Sequence, residues 1–285
     1  MRLLTLVAAL PALCAVTLAA GCTLRLGPFT SGGHADSWTE ADERFDLSAD
    51  GIDCIAITTH NGRIEVAAGA PDDTTLRVTA HKRAGGDDPG AAHDALHALV
   101  IRRERRGATL ELVAEWSERR DDDWQAKVDF VVTVPARLAA HLESRNGDLA
   151  ITGLRGAVDI ETHNGDIVIR AACGRIRAES HNGTIECCAD GQPIDLSTHN
   201  GDLKFATAAA SVSGSITSHN GDIELDLPSG ANGTIEGRGR FDRHEYTSSG
   251  NCSVVIDGRD FKIVLGDPHA ARLHVTTRNG RVELR

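Results

Sequence analysis

Thr162 to Ile167 reads THNGDI, and this hexapeptide decides the fold because it returns at a fixed interval. SRNGDL at Ser144 to Leu149 precedes it. SHNGTI at Ser180 to Ile185, THNGDL at Thr198 to Leu203 and SHNGDI at Ser218 to Ile223 follow it. The asparagines Asn146, Asn164, Asn182, Asn200 and Asn220 are therefore 18, 18, 18 and 20 residues apart. A unit this short cannot bury its own apolar face, so successive units must stack and share one core. Outlying copies read THNGRI at Thr59 to Ile64 and TRNGRV at Thr277 to Val282.

Aligned on Asn, the repeats agree in their apolar positions. Three and five residues after Asn come Leu149 and Ile151, Ile167 and Ile169, Ile185 and Cys187, Leu203 and Phe205, Ile223 and Leu225. A second apolar pair lies twelve and fourteen residues after Asn: Val158 and Ile160, Ile176 and Ala178, Ile194 and Leu196. In the fourth repeat an insertion makes Val212 and Ile216 the expected pair. Alternation over short runs means strands with every second side chain inward. Two strands per repeat, stacked in parallel, predict an all-β fold: a β-solenoid of two-strand coils. Asn and Gly tolerate positive φ, so Asn146-Gly147, Asn164-Gly165, Asn182-Gly183, Asn200-Gly201, Asn220-Gly221 and Asn279-Gly280 are expected as structural turns. Stacked asparagines can also hydrogen-bond along a ladder.

The rest of the chain is organised around that core. Residues 1–21 read as a secretory signal: Arg2, then a mostly apolar run to Ala20, then Gly21. Ala19-Ala20-Gly21-Cys22 resembles a bacterial lipobox, so Cys22 is expected to be lipidated, with fatty acyl chains of the palmitate kind. Residues 22–40 read as a lipid-anchored tether, and 41–137 as a β-rich cap segment. Pro89 and the spacing of Ala92, Ala95, Leu96 and Leu99 predict one short helix within it. The solenoid repeats are expected over 138–285, with an irregular coil at 229–265 and a closing coil after it; 41–285 reads as one continuous domain.

A formal net charge of −11 speaks against a nucleic-acid partner. The basic stretch Arg102 to Arg106 reads as a solvated strand end. Cys54, Cys173, Cys187, Cys188 and Cys252 fit no zinc spacing. Cys187 falls on an inward position, and Cys173 with Cys188 is the pair to test for a disulfide.

The residue before Asn is His163, His181, His199 and His219 in four successive repeats, with Arg145 before them. Asp148, Asp166, Asp202 and Asp222 lie two residues after Asn. Three readings stand side by side. The polar columns are solvated turn residues. Or His163, His181, His199, His219, Asp166, Asp202 and Asp222 form a strip for a divalent metal such as Zn, Cu or Ni. Or the edge is pH-sensitive, since His titrates near neutrality.

A strand pair ending in Asn-Gly, a helical interruption, repeated NGD coils and a final NGRV coil together resemble the bacterial putative-adhesin family. The resemblance covers roughly Arg44 to Arg285. It implies an exported or membrane-attached β-solenoid with a surface-binding or structural role and no catalytic residues. His before Asn departs from the family, where that position varies. The expected function is a non-catalytic cell-envelope lipoprotein, anchored at the outer membrane or cell surface, with no cofactor. Its expected partners are the membrane, through the lipid, and a polysaccharide or an envelope protein. Metal binding on the His and Asp columns and a polysaccharide-active enzyme are the alternatives. The enzyme needs paired carboxylates in a cleft and aromatic sugar platforms; only 4% of residues are aromatic, and Trp116 and Trp124 lie outside the repeats.

Overall fold

The computed structural model of the chain describes residues 25–26, 35–117, 124–190, 193–242 and 252–285. The expected signal segment, Cys22 and most of the expected tether lie outside the described residues. Among the described residues, no helix is long and apolar enough to cross a membrane.

The architecture is a β-solenoid. Each coil is two strands joined at an Asn-Gly corner: Ala139–Asn146 with Leu149–Thr152, Val158–Asn164 with Ile167–Arg170, Ile176–Asn182 with Ile185–Cys188. Ile194–Asn200 with Leu203–Ala206 and Gly214–Asn220 with Ile223–Asp226 continue the series. Like strands pair in parallel and in register, Asn164 opposite Asn182 and Ile167 opposite Ile185. The positions expected to point inward do so. Ile151, Ile169, Cys187 and Leu225 are fully buried and Phe205 nearly so, one above another in a single core. Fully burying one such aliphatic side chain contributes about 1.5–3 kcal/mol, so the repeated apolar columns carry the fold.

The stacking order departs from chain order at both ends. Cys54–Asn61 pairs in parallel with Ala139–Asn146, and Ile64–Ala68 with Leu149–Thr152. The first Asn-Gly copy is thus a genuine coil, and the solenoid begins well before residue 138. After Ala68 the chain turns to the end of the stack, and it returns to the regular coils at Ala139. Thr109–Trp116 and Gln125–Val134 lie beneath that first coil in parallel. Antiparallel strands Leu99–Arg106, Thr75–Gly86 and Ser37–Ser48 cover the end. The strand at Ser37–Ser48 starts inside the stretch read as tether, because its twelve residues pair along Thr75–Gly86. Antiparallel pairing ends the parallel ladder there.

The helix spans Pro89–Ala98. Asp88 caps it by accepting from the Ala91 amide at 2.8 Å, and Pro89 occupies the first turn, where a missing N–H costs nothing. Ala92, Ala95, Leu96 and Ala98 are its buried face.

At the other end, Arg272–Leu284 stacks directly on Gly214–Asn220 and Ile223–Asp226. The expected order, irregular coil and then closing coil, is inverted in space. The last coil is inserted between the regular stack and the Gly233–Asp242 strand, which is followed outward by Asp260–Leu265 and Cys252–Asp257. The fourth-repeat insertion is also resolved differently: Gly214, not Val212, lies opposite Ile194. A Cβ at Gly214 would meet the Ile194 carbonyl oxygen at 1.8 Å, so the extra residues are accommodated before it. Arg102 and Arg106 are engaged by Glu104, Glu111 and Glu115, which accounts for the basic stretch. Cys173 and Cys188 are exposed with free thiols, and Cys187 is buried.

Candidate functional site

Most positions of the repeated hexapeptide have a structural task at the corner. The Thr or Ser hydroxyl points inward and donates to the glycine carbonyl of the preceding coil: Thr162 to Gly147 at 3.1 Å, Ser180 to Gly165 at 3.1 Å, Thr198 to Gly183 at 3.0 Å. Sequence reasoning missed this column, although these residues share the inward parity of the apolar positions. Asn side chains form the expected ladder, Asn164 to Asn146 at 2.7 Å and Asn182 to Asn164 at 2.8 Å, continuing to Asn279.

The glycines are required for a reason other than the one expected. Gly62 and Gly201 have positive φ, 139° and 159°, but Gly147, Gly165, Gly183, Gly221 and Gly280 do not. A Cβ at Gly147, Gly165, Gly183, Gly201, Gly221 or Gly280 would instead lie 1.9–2.2 Å from a carbonyl oxygen of the coil below. Close stacking, more than turn conformation, excludes a side chain.

The aspartates also work within the stack. Asp148 accepts from the Asp166 amide at 3.0 Å, Asp166 from the Thr184 amide at 2.7 Å, and Asp202 from the Asp222 amide at 2.9 Å. Asp222 accepts from the Arg281 amide at 2.8 Å. The carboxylates are thus aimed along the stack at backbone. The four histidines are brought together with one another. His163 and His181 have ring centroids 4.6 Å apart, His181 and His199 4.8 Å, His199 and His219 4.6 Å. Among the described residues, no group of three or more His, Cys, Asp or Glu is arranged to hold a metal ion.

The histidine column is the outward one, and it is longer than the repeats alone indicate. In stacking order it runs His60, Arg145, His163, His181, His199, His219, Arg278, one residue per coil. His60 was legible in the first THNG motif; its place in the row required knowing that its coil joins the stack. Two residues earlier, on the same outward parity, lies a second row: Thr58, Glu143, Glu161, Glu179, Ser197, Thr217, Thr276. Both rows line one open groove of about 890 Å³ that crosses every coil. Its first half carries acids beside Arg145, His163 and His181. Its second half carries only hydroxyls beside His199, His219 and Arg278. Desolvation, reinforced by the charges of His199 and Arg278, holds the His219 imidazole below the usual histidine pKa.

At the cap end the groove opens into a pocket of about 320 Å³ that shares Thr59, His60 and Ala114 with it and is lined by Trp116. Trp116 packs against Trp124, ring centroids 5.5 Å apart. The tryptophans lie outside the repeats in sequence, yet in space one of them stands at the end of the groove.

No protein-family profile matches this chain, and no curated protein matches it. Solved structures do. A protein of Bacteroides fragilis described as a "putative adhesin" is 17% identical, with 86% of this chain and 97% of that one covered and a TM-score of 0.46. A "putative cell adhesion protein" of Clostridium sporogenes is 7% identical, with 86% and 98% covered and a TM-score of 0.36. A "putative lipid binding protein" of Parabacteroides distasonis is 10% identical, with 86% and 97% covered and a TM-score of 0.29.

Proposed function

We propose that this protein is a non-catalytic binding module of the cell envelope, and that its groove holds an extended polysaccharide. The observation that carries the reading is the groove itself. It presents one His or Arg and one Glu, Ser or Thr per coil at an even pitch, and ends at a tryptophan. A repeating surface suits a repeating ligand, since each coil offers the same kind of hydrogen-bonding group to successive sugars. Indole faces stack on sugar rings, and Trp is among the strongest single contributors to recognition surfaces. The rigid Asn, Thr and Gly ladders hold the rows in place, so little side-chain and backbone order has to be gained on binding. The adhesin role, export, acylation at Cys22 and placement at the outer membrane or cell surface belong to the same reading and rest on the sequence.

Polysaccharide fractions from a bacterial envelope, titrated against the full chain by calorimetry, test it. Glu179→Ile with Ser197→Ile fills the groove with aliphatic side chains from exposed or half-buried positions, and Trp116→Ala removes the aromatic end. Loss of binding in both variants, with melting unchanged in the groove variant, is the expected result. Equal binding by wild type and groove-filled protein overturns the reading.

A further inference from the structure

The groove does not stop at Arg278. A second cleft of about 750 Å³ begins there, lined by Arg240, Arg259, Arg278, Arg281 and Asp222 with backbone from Gly258, Asn279 and Gly280. Four guanidinium groups meet one carboxylate in a chain whose net charge is −11. Asp222 is already engaged, since it accepts from both the Arg281 amide and, at 3.2 Å, the Arg281 guanidinium. Arg259 donates to the backbone carbonyls of Thr277 and Arg278, which fixes it against the last coil. Arg240 and Arg278 are exposed, and among the described residues no carboxylate pairs with either. Arg102, Arg106 and Arg177 are matched by glutamates and aspartates, while among the described residues Arg145, Arg155 and Arg175, like Arg240 and Arg278, pair with no carboxylate; what sets the cleft apart is that four arginines converge in it. The adjoining half of the groove has the same bias, with His199 and His219 facing Ser197 and Thr217 where earlier coils place glutamates.

Resting on the groove reading, we propose that the groove is polar end to end and that its ligand is an acidic glycan. The sugar backbone lies along the hydroxyl rows, and a carboxylate of the chain seats between Arg240 and Arg278. The guanidinium fork matches a carboxylate by paired, charge-assisted hydrogen bonds. Among the described residues no carboxylate engages Arg240 or Arg278, in contrast to the matched ion pairs at the cap. Extended single-sugar strands fit the open, straight groove; a rigid duplex presents its phosphates on a curved surface far wider than one row of side chains.

Polygalacturonate and its fully methyl-esterified form share a backbone and differ in charge, so they are the probes. Titrated against the full chain at low salt, the acid form is expected to bind roughly tenfold more tightly than the ester, with the gap closing as salt rises. Arg240→Gln with Arg278→Gln is expected to abolish most of that gap, while Arg102→Gln leaves it. Equal binding of acid and ester, or an undiminished gap in the arginine variant, overturns this proposal and leaves the groove reading standing. Binding of neither polymer overturns this proposal and leaves the groove reading to the titration with envelope polysaccharides. Duplex DNA binding more tightly than polygalacturonate overturns this one alone.

Discussion

The imidazoles of His181 and His199 lie 4.8 Å apart and within 3° of parallel, although 18 residues separate them in sequence. That distance is the spacing of neighbouring strands. The rings stack because the backbone beneath them is locked: Asn200 donates to Asn182 at 2.8 Å, and Thr198 donates to Gly183 at 3.0 Å. Four of the six positions in the motif maintain the corner and one fills the core, which leaves the histidine position facing outward for binding.

Gly183→Ala puts a Cβ 2.0 Å from the Gly165 carbonyl oxygen. The coils must separate locally to admit it, at a cost of more than about 2 kcal/mol. Gly230→Ala, where nothing lies within 4 Å, is the control and leaves stability unchanged. Urea unfolding of the two variants checks the contrast.

Thr198→Val keeps the shape of the side chain and removes the hydroxyl that satisfies the Gly183 carbonyl. Leaving that part-buried acceptor without its donor costs about 1 kcal/mol. Thr198→Ser retains the donor and loses only a methyl group, so it falls between wild type and Thr198→Val in denaturant midpoint.

Burial pushes the Cys187 thiol up to about 12, with Cys188 beside it adding to the shift. The thiolate is the reactive form, so Cys187 is inert in the folded protein at mildly alkaline pH. Iodoacetamide followed by peptide mass spectrometry is expected to label Cys173 and Cys188 and to reach Cys187 only after unfolding.

His219 gives a pH dependence with a defined sign. Its folded pKa lies below the usual 6.5, so the unfolded chain binds the proton more readily. The associated stability is present above the ordinary histidine range and is lost as pH falls through it toward the lower folded value. The urea midpoint is expected to drop between pH 7.5 and 5.5, and less so in His219→Gln.

Much of this could be read from the sequence. The period gave the solenoid, the alternation gave the inward columns, and stacked Asn gave a ladder whose rungs now have distances. What stayed hidden depends on which coil lies next to which. Neighbours in the central run are 18 residues apart, but Asn146 reaches Asn61 across 85 residues and Asn279 reaches Asn220 across 59. Alternation fixes which way a side chain faces; it does not say which strand a returning excursion will meet. For that reason His60 and Trp116 were not placed on the groove, and the arginine cleft was not foreseen. Its residues Arg240, Arg259, Arg278 and Arg281 converge only because the last coil is inserted inside the cap.

The most direct test of the groove as the binding surface is residue-level mapping. Backbone and imidazole NMR signals are followed while an envelope polysaccharide is added. The account predicts a continuous band of shifts from Trp116 through His60, His163, His181, His199 and His219 to Arg278, with the opposite strands such as Ile167–Arg170 silent. A band confined to the opposite strands, or to the outermost strand Cys252–Asp257, contradicts it.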